Sequence, residues 1–272
     1  MGRVVTIRRW LSCRALSAWT TYHVVLSFLT IMLFNSAGVR AEDEFSRWAI
    51  LFDQPTAIRR VPPKLNSDPL GELRCTYFLD FMVRETGTDG PGPGPASIIP
   101  ISPSENRQPA CEGSRLTGEI SLKTAHFSFV GRKSRFLIFS ATNPNGAASF
   151  VILDAGSGRL IYSDGTMRDG FRSAALEGDG ALRLRFTRGV NGSCSIIKDA
   201  ACWATMAREG KIPRALAQLP PPVQACVAEY GKGGTTSSDD PSIVAYDVDM
   251  ILDRTGRVQV NARGGVECYP MP

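Results

Sequence analysis

The chain has 272 residues, 43% of them hydrophobic, with 31 Lys and Arg against 26 Asp and Glu. Five of the basic residues, Arg3, Arg8, Arg9, Arg14 and Arg40, precede Glu42 and no acidic residue does, so the remainder carries 26 of each sign. A neutral body without a basic stripe lacks the electrostatic footprint of a nucleic-acid binder, and that class of partner is excluded.

Met1–Ala41 has the layout of a cleavable secretory leader. Arg3, Arg8, Arg9 and Arg14 form a basic front, Val24–Phe34 an apolar core, and Val39-Arg40-Ala41 a small-residue cleavage site. The apolar core is shorter than the roughly 18 residues that a spanning helix needs, so no stable membrane span is expected after leader removal. An uncleaved leader would instead anchor the protein by its N-terminus. Residues 42–272 are then a single β-rich domain, periplasmic or secreted.

Six cysteines follow the leader: Cys75, Cys111, Cys194, Cys202, Cys226 and Cys268. An even number in an oxidising compartment reads as a disulfide framework. Pairing Cys75–Cys111, Cys194–Cys202 and Cys226–Cys268 is expected, because each bridge then closes one local segment. Zinc is the competing use. The chain has no Cys-x-x-Cys pair and, after the leader, one histidine, so no metal or other cofactor is implied.

In chain order, Trp48–Phe52 reads as a short strand. Pro55, Pro62, Pro63 and Pro69 make the rest of the lead-in extended and irregular. Over Leu73–Arg84, Cys75, Tyr77, Leu79, Phe81 and Val83 alternate with Arg74, Thr76, Phe78, Asp80, Met82 and Arg84, which predicts one strand. The Pro/Gly-rich segment 86–110 has no evident capacity for a helix or a ladder. It is either a binding loop or a surface excursion, tied at its base by Cys75 and Cys111. Leu116–Val130 resumes strand character, but Ile120 and Leu122 are out of phase with Phe127 and Phe129. A bulge or turn is expected between them, at His126.

Arg135–Arg188 predicts a five-stranded meander at the centre of the fold. Phe136–Ala141 and Ser149–Asp154 flank the turn residues Asn143-Pro144-Asn145-Gly146. Phe150-Val151-Ile152-Leu153 is apolar at successive positions, the mark of a strand covered on both faces. Arg159–Ser163 follows, and Gly178-Asp179-Gly180 turns Ala174–Glu177 into Ala181–Arg188, where Leu182, Leu184 and Phe186 alternate with Arg183, Arg185 and Thr187.

Two short helices are expected in an insert over 199–231: one over Ala200–Glu209 behind Asp199, the other over Val223–Tyr230 behind three prolines. A polar connection, Gly231–Asp240, leads to a hairpin of Ile243–Leu252 and Arg257–Ala262 around Asp253-Arg254-Thr255-Gly256. Val266–Tyr269 then returns Cys268 to be clamped. The predicted fold class is thus mainly β: an antiparallel, sandwich-like meander with two short C-terminal helices, held by disulfides.

Ile152-Leu153-Asp154-Ala155-Gly156-Ser157-Gly158-Arg159 resembles the strand-turn-strand signature of quinoprotein-type propeller blades. The resemblance covers about a dozen residues and implies no cofactor residue. Ile251–Arg257 repeats the pattern too far away for a regular blade period, and shared hairpin chemistry explains both.

Among chemical constellations, Asp247 and Asp249 point the same way from one strand. They suit general acid and base work if burial separates their pKa values, or else they keep an exposed face wet. Asp80, near Arg84 on one face, suits an ion pair, and His126 suits a structural turn. Gly156-Ser157-Gly158 is too short for a nucleophile elbow, and phosphate-loop, dinucleotide and His-Glu-x-x-His motifs are absent from the sequence. Asn191-Gly192-Ser193 fits a glycosylation acceptor. The sequence points to an exported, non-enzymatic binding protein whose partner is an envelope or extracellular protein or a glycan. A carboxylate-dependent envelope hydrolase and a structural envelope component are the alternatives.

Overall fold

The computed structural model describes residues 50–63, 71–87, 94–102, 108–113, 116–141, 143, 146–167, 170–232 and 236–271. The expected leader, Met1–Ala41, lies outside them, and so do residues 88–93 and 103–107 of the Pro/Gly-rich segment. Among the described residues, no helix is long and apolar enough to cross a membrane.

Among the described residues, thirteen strands form three antiparallel sheets, and each sheet is a meander of consecutive strands. The first contains β1 (Ala57–Val61), β2 (Leu73–Tyr77), β3 (Phe81–Thr86), β4 (Ala96–Pro100) and β5 (Ile120–Ser121). The middle sheet contains β6 (Ser128–Lys133), β7 (Phe136–Ala141), β8 (Ala148–Asp154) and β9 (Leu160–Thr166). The last contains β10 (Phe171–Leu176), β11 (Leu182–Asn191), β12 (Ser242–Leu252) and β13 (Val258–Pro270). The fold is therefore mainly β and antiparallel, with β8 paired on both sides as its sequence implies.

The sheets stack in chain order, and the middle one explains why. Successive positions of β7 and β8 are apolar, so neither face tolerates water. Phe136, Ile138, Phe150 and Ile152 pack with the last sheet's Phe171, Leu184 and Phe186. Leu137, Phe139, Val151 and Leu153 pack with the first sheet's Phe81, Val83 and Ile98. Burying each such side chain contributes about 2 kcal/mol. Edge-to-face ring pairs, Phe150–Phe186 at 5.1 Å and Phe150–Phe171 at 5.0 Å, mark the junction of the middle and last sheets.

Several sequence expectations are corrected. The Arg135–Arg188 run has its five strands, but they do not form one sheet: β7 to β9 belong to the middle sheet, β10 and β11 to the last. Leu73–Arg84 is a hairpin, because Phe78 N–H bonds back to Phe81 C=O at 2.8 Å and leaves Leu79 at the tip, 82% exposed. Ala57–Val61 is an edge strand between prolines. Residues 50–52 form a turn in place of a strand, and Phe52 plugs the core where a Cβ on Gly131 would fall 2.6 Å from its ring. Ala96–Pro100, inside the supposed ladderless segment, pairs with β3 and is buried at Ala96 through Ile99. Val266–Tyr269 is not separate, because β13 runs on to Pro270 across a bulge at Gly264 and Gly265, with Gly264 at φ +72°.

The three disulfides are the expected ones, with Cα separations of 5.8 Å for Cys75–Cys111, 5.8 Å for Cys194–Cys202 and 4.7 Å for Cys226–Cys268. The first holds the Cys111 segment over the outer face of the first sheet, where Tyr77 Oη donates to Pro109 C=O at 3.0 Å. Cys194–Cys202 ties the first of the three described helices to the segment that follows β11, and Cys226–Cys268 ties the last of them to β13. These helices are α1 (Ala201–Arg208), α2 (Arg214–Ala217), a third helix the sequence did not suggest, and α3 (Val223–Tyr230). Cys202, Trp203, Met206, Leu216, Cys226 and Tyr230 join Val244 and Tyr246 in one core, so the helices cover sheet surface that the middle sheet leaves open.

Candidate functional site

Of the four residues singled out from sequence, only Asp247 and Asp249 come together. His126 is exposed in the turn between β5 and β6, at φ +72°. Asp80, at the β2–β3 turn, takes a bidentate contact from Arg132 at 2.5 and 2.9 Å, not from Arg84. Arg84 is buried and donates instead to Glu119 Oε1 and Gly113 C=O, both at 2.7 Å.

Asp247 and Asp249 do share the outer face of the last sheet, but their surroundings differ from expectation. Asp249 is buried, at 1% exposure, beneath arginines from two flanking strands. Arg183 Nε donates to it at 2.9 Å, Arg263 Nη2 lies 2.9 Å away, and Arg185 Nε 3.5 Å away. The hydrogen bonds from Arg183 outweigh burial, and with the charges of Arg263 and Arg185 they hold this carboxyl below the usual range. Asp247, directly across from Thr187, accepts from its hydroxyl at 3.0 Å and from Arg172 at 2.8 Å. A groove of about 350 Å³ lies over this row, lined by Arg172, Ser173, Arg185, Asp247, Asp249 and Arg263.

A second concavity, of about 650 Å³, opens along β9 on the inner side of the last sheet. Tyr162, Asp164, Arg188, Asn191 and Lys211 give it polar walls, and Val258 and Val260 an apolar end. The cleft's position follows from two glycines. A Cβ on Gly165 of β9 would collide with the carbonyl of Gly189 in β11, so only bare backbone lets the two strands approach this closely.

One wall is a hydrogen-bonded cluster. Arg188 Nε donates to Asp164 Oδ2 at 2.9 Å, its Nη2 donates to Tyr162 Oη at 2.8 Å and also meets Asp164, and its Nη1 donates to Tyr246 Oη at 3.2 Å. The Tyr162 hydroxyl in turn donates to Asp164. Burial and the neighbouring carboxylate push the Tyr162 phenol above its ordinary value, and burial does the same to Tyr246. Burial alone would depress Arg188, but Asp164 reverses this and raises it. The two phenols therefore stay neutral and the guanidinium stays charged across the physiological range. Asp164 Oδ1 accepts Gly165 N–H at 2.8 Å and keeps further lone pairs, while Lys211 at the far wall pairs with Glu209 at 2.9 Å.

The only trace of this cluster in the sequence is Arg188, charged on the apolar side of an alternating strand, because Tyr162 and Arg188 stand on different sheets with nothing periodic to join them. Among the described residues, no three His, Cys, Asp or Glu side chains gather as metal ligands. No protein-family model matches the chain, and no curated protein or solved structure matches it either. The chain is thus a three-sheet, disulfide-bonded β protein with a polar cleft along β9 and an arginine-lined groove on the outer face of its last sheet.

Proposed function

We infer that this is an exported binding protein of the cell envelope, and that it holds a glycan in the cleft along β9 without acting on it chemically. The observation that carries this reading is the Tyr162–Asp164–Arg188 array on the wall of a cleft large enough for sugar rings. Planar carboxylate and guanidinium groups held by one another present fixed acceptors and donors to neighbouring hydroxyls, and an aromatic ring beside them suits the apolar face of a pyranose. Three disulfides fit an oxidising destination. The hydrolase reading is less favoured, since it needs a raised carboxyl in a groove, and Asp249 is shifted the other way.

Titrating the protein with a panel of neutral envelope-type oligosaccharides tests the reading. Saturable binding is expected, weakened at least tenfold by Lys211→Ala and abolished by Val260→Arg, which fills the cleft. Absence of saturable binding, or indifference to both substitutions, would sink it. Intact-mass measurement after alkylation, with and without prior reduction, tests export: the leader should be missing and all six sulfurs protected until reductant is added.

A further inference from the structure

The groove on the outer face of the last sheet carries an excess of one charge. Four arginines, Arg172, Arg183, Arg185 and Arg263, surround three carboxylates, Glu177, Asp247 and Asp249. Outside the leader the chain is neutral, so this is a local concentration and not a reflection of composition.

The arginines are not equally committed. Arg183 uses Nε and Nη2 on Asp249 and Nη1 on Glu177. Arg172 divides its fork between Asp247 and Thr187. Arg185 has only the 3.5 Å approach to Asp249, too long for a good hydrogen bond, and Arg263 touches the same oxygen through one nitrogen. Both remain more than half exposed, at 52% and 57%, and both line the groove. A guanidinium has five N–H donors in a fork that matches a carboxylate. Two such forks, from β11 and β13, thus converge over one buried carboxylate that Arg183 already occupies. Like charges gathered in this way repel, and a second anion between them relieves the repulsion.

We propose that this groove is a binding site for a carboxylate-bearing sugar, a uronate, whose carboxylate is gripped by Arg185 and Arg263. Asp249 acts as the template that aims both guanidinium groups. Carboxylate is the chemistry the groove already accepts, since Asp249 receives Arg183 side-on through both of its oxygens. The volume of about 350 Å³ leaves room for a sugar ring beyond the carboxylate, and Ser173 lines the same groove as a hydroxyl partner. The choice of a sugar as carrier rests on the glycan reading above. The site itself does not, because it lies on the opposite face of the sheet from the cleft.

The test is calorimetric titration at low ionic strength, on the Val260→Arg protein whose β9 cleft is filled, with trigalacturonate, its neutral methyl ester and inorganic phosphate. Saturable binding of the acid and none of the ester is expected. The double variant Arg185→Gln/Arg263→Gln should weaken binding at least tenfold, while Arg254→Gln/Arg257→Gln, which removes the same charge at the β12–β13 turn, leaves it within twofold. Should the first double variant fail to fold, Arg263→Lys, which keeps the charge and loses the fork, should still weaken binding severalfold. Equal binding of the ester, equal loss in both double variants, displacement of the uronate by equimolar phosphate, or no saturable binding overturns the proposal. Lys211→Ala and Val260→Arg should leave uronate affinity unchanged, so failure of the cleft reading and failure of this one are distinguishable.

Discussion

The buried carboxylate of Glu85 in β3 accepts the backbone N–H of Phe129 in β6 at 2.7 Å, and so ties the first sheet to the middle one. Its other oxygen takes Arg74 Nε at 2.6 Å, and Arg74 Nη2 donates to the carbonyl of the same Phe129. One ion pair thereby satisfies both backbone groups of a residue at a sheet boundary. Burial pushes the Glu85 carboxyl above its ordinary value of 4.5, against the opposing pull of Arg74 and the Phe129 N–H.

A raised carboxyl binds its proton more tightly in the folded state, so its stabilising contribution is complete below pH 4.5 and is lost as pH rises through the folded value. Glu85→Gln imitates the protonated form and should flatten this part of the stability-versus-pH curve at modest cost. Glu85→Ala orphans the Phe129 N–H and removes the carboxylate that Arg74 Nε meets, and should cost about 3 kcal/mol. Urea midpoints of the three proteins between pH 4.5 and 8 check both statements. A wild-type slope that persists in Glu85→Gln refutes the first.

Asp249 should show the opposite sign. Its carboxyl is lowered, so its contribution is present above the ordinary carboxylate range and is lost as pH falls through the folded value. Asp249→Asn should cost about 1–3 kcal/mol at neutral pH, because the buried oxygen facing Arg183 loses its charge. The penalty should shrink as the wild type is titrated below pH 3.8, until the two unfolding curves converge. A penalty independent of pH would mean that packing, and not the arginines, sets the role of Asp249.

Phe150 sits where the middle and last sheets meet, within 5.0 to 6.0 Å of Phe171, Phe186 and Tyr162. Phe150→Ala removes a fully buried ring from three neighbours and should cost about 3–5 kcal/mol. Leu160→Ala on β9, a 55% exposed position, should stay within about 0.5 kcal/mol of wild type. Comparable losses at the two sites would contradict the stacking of the sheets.

What the sequence revealed and what it hid divides along local and non-local physics. Gly178-Asp179-Gly180 and Asp253–Gly256 act within their own hairpins, and Asp253 Oδ1 accepts the N–H of Thr255 at 2.8 Å and of Arg257 at 2.9 Å as such turns require. The cysteine pairs were legible for the same reason, since each closes one segment. Strand β4 was hidden because it is only five residues long, follows Pro95 and ends on Pro100, and its ladder depends on β3 being there. The Leu73–Arg84 hairpin looked like one strand because an apolar residue, Leu79, occupies its tip and keeps the alternation unbroken. Arg188 belongs to the inner, apolar face of β11, and only the approach of β9 supplies its partner Asp164. A charged residue on the apolar side of an alternating strand was the one available signal for that cleft.

The close approach of β9 and β11 depends on Gly165, and this is the most direct way to disturb the cleft without touching its polar groups. A methyl group at this position meets the Gly189 carbonyl, a backbone atom that cannot rotate away, so the strands must separate. Gly165→Ala should therefore destabilise the protein by about 1–3 kcal/mol, as overpacking does. It should also loosen the contact of Arg188 with Asp164, which lies next to it in the chain. Gly178→Ala is the control, since a Cβ there meets nothing within 4 Å, and its effect should be neutral or slightly stabilising. Thermal midpoints together with oligosaccharide titration separate the outcomes. Loss of both stability and binding in Gly165→Ala, with neither changed in Gly178→Ala, is expected, whereas an unchanged midpoint in Gly165→Ala would show that the two strands have more room than their backbones now indicate.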